Sequence, residues 1–103
     1  KNVVVYAVPK TQTVKKVTKL SGRKIRVTVQ KDAKSTGYRV VTATNKSFNK
    51  NKKVIMSKNN RQTTLTLKQK KKGTYYVKAR SYVKIGKNYY YGPWSKVKKV
   101  VLR

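Results

Sequence analysis

The sequence predicts an all-β fold, a two-sheet sandwich of about seven short strands. Three observations carry that expectation. Apolar and polar residues alternate with period two through several segments, turn signals separate those segments at short intervals, and no segment repeats its apolar residues every 3.6 positions, so helix should be nearly absent. The chain has 103 residues, which suits one domain. Its eight tyrosines and one tryptophan, with the alternation, oppose the disorder that a high charge otherwise favours.

Residues 1–12, with Val3-Val4-Val5 and Pro9, read as a linker or an N-terminal edge strand, where proline is tolerated. The sandwich is expected over residues 13–103. Thr13 to Leu20 reads as a first β segment, and Ser21-Gly22 as a turn. Ile25, Val27 and Val29 alternate with Arg26, Thr28 and Gln30, giving one apolar and one wet face. Lys34-Ser35-Thr36-Gly37 breaks that strand. Tyr38, Val40 and Thr42 then alternate with Arg39, Val41 and Ala43. Residues 45–53 are polar, with Phe48 their single apolar anchor, and Val54-Ile55-Met56 is a short apolar run. Leu65 and Leu67 alternate with Thr64 and Thr66. After a lysine-rich turn ending at Gly73, Tyr75, Val77, Ala79 and Ser81 alternate with Tyr76, Lys78, Arg80 and Tyr82. Gly86-Lys87-Asn88 reads as a hairpin tip. Tyr89 to Trp94 leads into a last strand, Ser95 to Leu102, whose faces the pattern does not assign.

Charge is the strongest compositional signal. Lys and Arg number 29, Asp and Glu together 1, and the net charge is +28. With hydrophobic residues at 37%, the core is lean, and the unopposed cations weaken the compact state further by mutual repulsion. A field of one sign draws in polyanions. Most of the cations are lysine; arginine stands only at Arg23, Arg26, Arg39, Arg61, Arg80 and Arg103. Lysine is a point charge and arginine the better bidentate reader, so the balance favours diffuse attraction over shaped recognition.

Four segments in order resemble the fibronectin type III family. Gly37-Tyr38-Arg39-Val40 is similar to its third-strand signature, and Thr44-Asn45-Lys46-Ser47-Phe48 to the stretch that follows in bacterial members. Gly73-Thr74-Tyr75-Tyr76-Val77-Lys78-Ala79-Arg80-Ser81-Tyr82 is similar to its sixth strand, and Tyr90-Tyr91-Gly92-Pro93-Trp94-Ser95 to the approach to its last. The resemblance covers roughly residues 13–102 and is nearest to lysine-rich modules of Gram-positive surface proteins. It implies a fibronectin type III (immunoglobulin-like) two-sheet sandwich, extracellular or cell-wall associated. It also implies a tyrosine corner at Tyr75 or Tyr76, and strand phase favours Tyr75. Where the family has a second-strand tryptophan this chain has Val29, which implies a thinner core. There is no Arg-Gly-Asp, so the integrin contact of some animal members does not carry over.

Catalysis finds few players. The chain has no histidine, no cysteine and one carboxylate, Asp32, which excludes paired-carboxylate chemistry and leaves a metal site without ligands. No enzyme activity and no cofactor are expected. Asp32 reads as a turn aspartate bonding nearby backbone or a lysine; the sharper reading is the acid of a covalent Lys–Asn or Lys–Asp crosslink, visible as a mass deficit of one water or ammonia. The candidate polyanion-binding residues are Lys78, Arg80, Lys84, Lys87, Lys70, Lys71 and Lys72, with Tyr82, Tyr90 and Trp94 as aromatic contacts. Rings set between cations can stack on bases or sugars, although the same rings also build sandwich cores and cross-strand pairs.

The expectation is therefore a non-catalytic binding and spacer module of a larger surface or secreted protein, monomeric as an isolated domain. Its expected partners are its flanking domains and anionic polymers such as teichoic acid or sulfated glycans. Non-sequence-specific nucleic-acid binding is the alternative, against which no recognition helix or base-reading arginine set appears. A purely structural spacer, charged for solubility, is a further alternative. No apolar run approaches a membrane span.

Overall fold

The computed structural model describes residues 11–102, so residues 1–10 of the linker or edge strand expected over 1–12 lie outside the described residues. The strands are β1 (Val14–Leu20), β2 (Lys24–Val29), β3 (Gly37–Ala43), β4 (Lys53–Met56), β5 (Thr64–Lys68), β6 (Gly73–Ile85), β7 (Asn88–Tyr91) and β8 (Lys98–Leu102). Among the described residues there is no helix, and hence none long and apolar enough to cross a membrane. All pairings are antiparallel. One sheet has three strands in the order β1-β2-β5; the other has five, β4-β3-β6-β7, with β8 also on β6. The architecture is an all-β sandwich.

The alternation read from the sequence sets the inner faces. Ile25, Val27 and Val29 of β2 and Leu65 and Leu67 of β5 meet Tyr38 and Val40 of β3, Tyr75, Val77 and Ala79 of β6, and Leu102 of β8 in one buried cluster. Strand β1 joins this core through an irregularity. Val14 and Val17 are three apart and would face opposite ways along a regular strand, but a register shift between Val14 and Lys16 turns both inward. Val29, where the resemblance implies a thinner core, is buried in the same cluster as Tyr38. The Tyr38 ring is wholly buried, and its hydroxyl accepts from Asp32 N–H at 2.7 Å and donates to the Asn60 carbonyl at 2.7 Å.

Strand β3 is buried on both sides. Its outer face, at Val41 and Ala43, is covered by a second cluster containing Phe48, with Tyr76 and Trp94 packed against it. Phe48 thus acts as the anchor expected of it, holding the β3–β4 loop down. Gly37 opens β3 for a steric reason. A Cβ there would stand 2.7 Å from Ser57 Oγ and 2.9 Å from the Tyr82 ring and hydroxyl. Its absence lets Tyr82 lie across β3 and donate to the Ser57 carbonyl at 2.8 Å.

Two sequence boundaries move. Gln12, on the linker side of the expected boundary, is buried; its Nε2 donates to Ser81 Oγ at 2.9 Å and its Oε1 accepts from Thr13 and Gln30 N–H. The last strand begins at Lys98, not Ser95, and eight ladder segments replace the expected seven strands. The extra one arises because β7 and β8 share a single edge of β6, on its far and near halves. Between them Gly92 N–H donates to the Ser81 carbonyl and Ser95 N–H to the Ala79 carbonyl, while Ser95 Oγ accepts from Ala79 N–H. Pro93, which has no N–H to give, and Trp94 are left over as a bulge.

Candidate cationic surfaces

The pairings place the loops at two ends. The β1–β2 turn, the β3–β4 loop, the β5–β6 turn and Leu102 lie at one end; the β2–β3 loop, the β4–β5 loop, the β6–β7 hairpin and Val14 lie at the other. This splits the candidate polyanion residues into three groups: Lys70, Lys71 and Lys72 at the first end, Lys84 and Lys87 at the second, and Lys78 and Arg80 midway along β6.

Lys78 and Arg80 point outward from the five-stranded sheet and are spoken for. The bulge at Pro93-Trp94 lays the indole over both: Lys78 Nζ and Arg80 Cζ each lie 4.3 Å from the Trp94 ring centroid. Lys78 also sits 4.4 Å from the Phe48 ring, and Arg80 4.8 Å from that of Tyr91. Arg39, directly across the ladder from Arg80, stands 5.3 Å from Tyr91 and donates from Nη1 to its hydroxyl at 3.2 Å. Arg80 Nε donates to the Gly92 carbonyl at 2.9 Å. The result is a ladder in which rings alternate with cations, Phe48–Lys78–Trp94–Arg80–Tyr91–Arg39. Like charges opposite one another on a sheet repel, and ring faces here stand in for the missing carboxylates. Burial, then the neighbouring Lys52 and Arg80, lowers the Lys78 pKa; burial, then Arg39, lowers that of Arg80.

The aromatic candidates separate likewise. Tyr82 is 5% exposed with its hydroxyl engaged on Ser57, so it is a packing residue and not a contact for a ligand. Its ring meets Tyr89 at 5.5 Å and Tyr91 at 6.4 Å, and burial, with these neighbours, raises its pKa. Tyr90 pairs with Val83, on the opposite face of the sheet from Tyr89 and Tyr91. Trp94 is half-buried and belongs to the ladder. Sequence reading missed Arg39 and Tyr91, whose places follow from the cross-strand register.

The first end gathers cations that, among the described residues, have no ring over them. A cleft of ≈ 280 Å³ is lined by Asn51, Lys52, Lys53, Lys68, Gln69, Lys70, Lys71 and Tyr75. A second concavity shares Lys53, Lys68, Gln69 and Lys70 and reaches Arg23. The lysine runs at 50–53 and 68–72, far apart in sequence, thus face one groove. Both loops are tied down. Asn45 Oδ1 accepts from Asn49 and Lys50 N–H, and Thr44 N–H donates to the Lys50 carbonyl. Gln69, 5% exposed, donates from its N–H to the Arg23 carbonyl and from Nε2 to Thr42 Oγ1. The Tyr75 hydroxyl donates to the Lys71 carbonyl at 2.7 Å, closing a tyrosine corner. Lys53 Nζ reaches the Lys68 carbonyl. Lys72 lies apart, beside Lys19, Gly22, Arg23 and Leu102.

Asp32, the sole acid, is at the other end. Its Oδ1 accepts from Lys34 N–H at 3.1 Å and its carbonyl from Ser35, so it builds the turn that the sequence suggested. No family model matches the chain, and no curated protein matches it in sequence.

Proposed function

We propose that the chain is a non-catalytic module of the fibronectin type III kind, serving an extracellular or wall-associated protein as a spacer that holds to polyanions by charge. The observation that carries this reading is the groove at the first end, where lysines from two loops converge with no carboxylate among them. A concave surface of one sign focuses its field and concentrates counter-ions of the other. The family assignment is supported by the two-sheet sandwich and by Tyr75, whose hydroxyl bonds four residues back at the start of β6. The spacer role is supported by Val14 and Leu102 lying at opposite ends of the sandwich.

The test is competition at physiological ionic strength. Teichoic-acid-like polymer or heparin should displace the protein from DNA, and DNA binding should show no sequence preference. A sequence-selective DNA complex that survives moderate salt would replace this reading with a nucleic-acid one. Absence of saturable binding to every polyanion would leave only a spacer whose charge serves solubility.

A further inference from the structure

We propose that the groove between the β3–β4 loop and the β5–β6 turn is a binding site for a linear phosphodiester backbone. Lys52, Lys53, Lys68, Lys70 and Lys71 are its point charges and Arg23 its far rim. This rests on the polyanion reading above and narrows it in place and in chemistry.

Four observations lead here. Two concavities share four residues, and their linings together reach from Tyr75 and Lys71 to Arg23, so several adjacent cations are offered to one chain. It is preorganised, since Asn45, Gln69 and Tyr75 fix the backbone of both loops before any ligand arrives. Fixing a loop beforehand removes an ordering cost from binding. It offers no stacking platform. The one ring in its lining, Tyr75, is 2% exposed and turned into the core, so bases and sugar rings find no aromatic face. Its cations are lysine but for Arg23; lysine binds phosphate as a point charge without bidentate geometry, which matches charges spaced along a flexible chain. Trp94 and Tyr91 on the outer sheet, by contrast, are already covered by Lys78, Arg80 and Arg39.

The experiment measures binding of synthetic polyglycerol phosphate, duplex DNA and heparin by titration calorimetry across a salt series. It compares the natural chain with K70Q/K71Q and with K84Q/K87Q, which removes equal charge at the other end. All four lysines are exposed, and melting curves check that each variant folds. K70Q/K71Q should weaken polyglycerol phosphate binding about tenfold or more and flatten the log–log salt slope by about 1.4, at ~0.7 per neutralised phosphate on a flexible strand. K84Q/K87Q should change affinity less than about threefold. If both variants lose affinity equally, the attraction is diffuse: the groove assignment falls while the polyanion reading stands. If heparin binds tighter than either phosphodiester and depends on Lys70 and Lys71, the ligand chemistry is wrong. Should the natural chain bind none of the three, both readings fall together. Within a positive result, the DNA and polyglycerol phosphate arms show which source of phosphodiester the groove prefers.

Discussion

The outer face of the five-stranded sheet and the loop end of the sandwich meet the same difficulty, cations without acids, in opposite ways. On the sheet face, Lys78, Arg80 and Arg39 are set against Phe48, Trp94 and Tyr91, and the charge is absorbed into packing. At the loop end, Lys52, Lys53, Lys68, Lys70 and Lys71 surround a groove with no exposed ring, and the charge is left for solvent or a ligand. The lesson concerns what makes a cation available. Number and spacing along the chain do not separate Lys78 from Lys71; the rings of Phe48 and Trp94 laid over Lys78 do. The expectation is that the sheet-face cations carry stability, whereas those of the loop end can be changed at little cost to the fold.

Trp94→Ala presses hardest on that contrast. It removes the ring shared by Lys78 and Arg80, uncovers part of the Phe48 cluster and leaves two like charges facing each other. We expect a loss of about 2–4 kcal/mol in urea unfolding. A loss under about 1 kcal/mol would mean that the rings merely lie beside the cations, and the distinction between the two regions would collapse.

Tyr75→Phe probes the joint between the regions. The ring stays in the core, but the hydroxyl no longer holds the Lys71 carbonyl. The expected cost is about 1 kcal/mol, the net worth of one such hydrogen bond. Faster amide exchange should appear at Lys70 to Lys72 and leave β2 and β5 unchanged. Exchange that rises everywhere would show the corner to be a global brace and not a local tie for the lysine turn.

Much of the sandwich was legible because β2, β5 and the first half of β6 obey strict alternation, and burial follows it residue by residue. The rest was illegible for identifiable reasons. Val14 and Val17 share a face only through a bulge, which no periodicity announces. Gln12 is polar, and only a partner 69 positions away, Ser81, makes it a core residue. The break at Pro93-Trp94 splits one edge into β7 and β8, so the last strand resisted a face assignment. For the cationic surfaces, the lysine runs at 50–53 and 68–72 were visible, but their meeting depends on β3 and β5 both ending at the same end of the sandwich. Nothing in the sequence sets Lys78 and Arg80 apart from the other cations, because the bulge that lays Trp94 over them is a tertiary event.

Removing charge from the loop end supplies the counterpart to Trp94→Ala. K70Q/K71Q deletes two exposed cations and no packing. The melting temperature should stay level or rise slightly, a change of a few tenths of a kcal/mol, because exposed charges contribute little and here they repel. Added salt should likewise stabilise the natural chain by screening that repulsion. Destabilisation beyond about 1 kcal/mol in K70Q/K71Q would make the groove a structural element.

The smallest effect is the pH dependence, and it sharpens the comparison from the sheet-face side. Burial holds Lys78 below the ordinary lysine value of 10.5, so above its folded pKa and up to 10.5 the unfolded chain keeps more protons at this site than the folded one. Stability therefore rises with pH through that window. Tyr82 acts in the opposite sense. Its pKa is raised above the ordinary 10.0, so beyond about that pH the unfolded chain ionises first and stability falls. Urea midpoints should climb as pH approaches 10.5 from below, turn over on the alkaline side and then decline. Lys78→Met should flatten the climb and Tyr82→Phe the decline, each read as a slope, because both variants also shift the overall level. A slope identical in Lys78→Met and the natural chain would mean that burial does not perturb Lys78, and the sheet-face cations would then be no more constrained than their solvated counterparts.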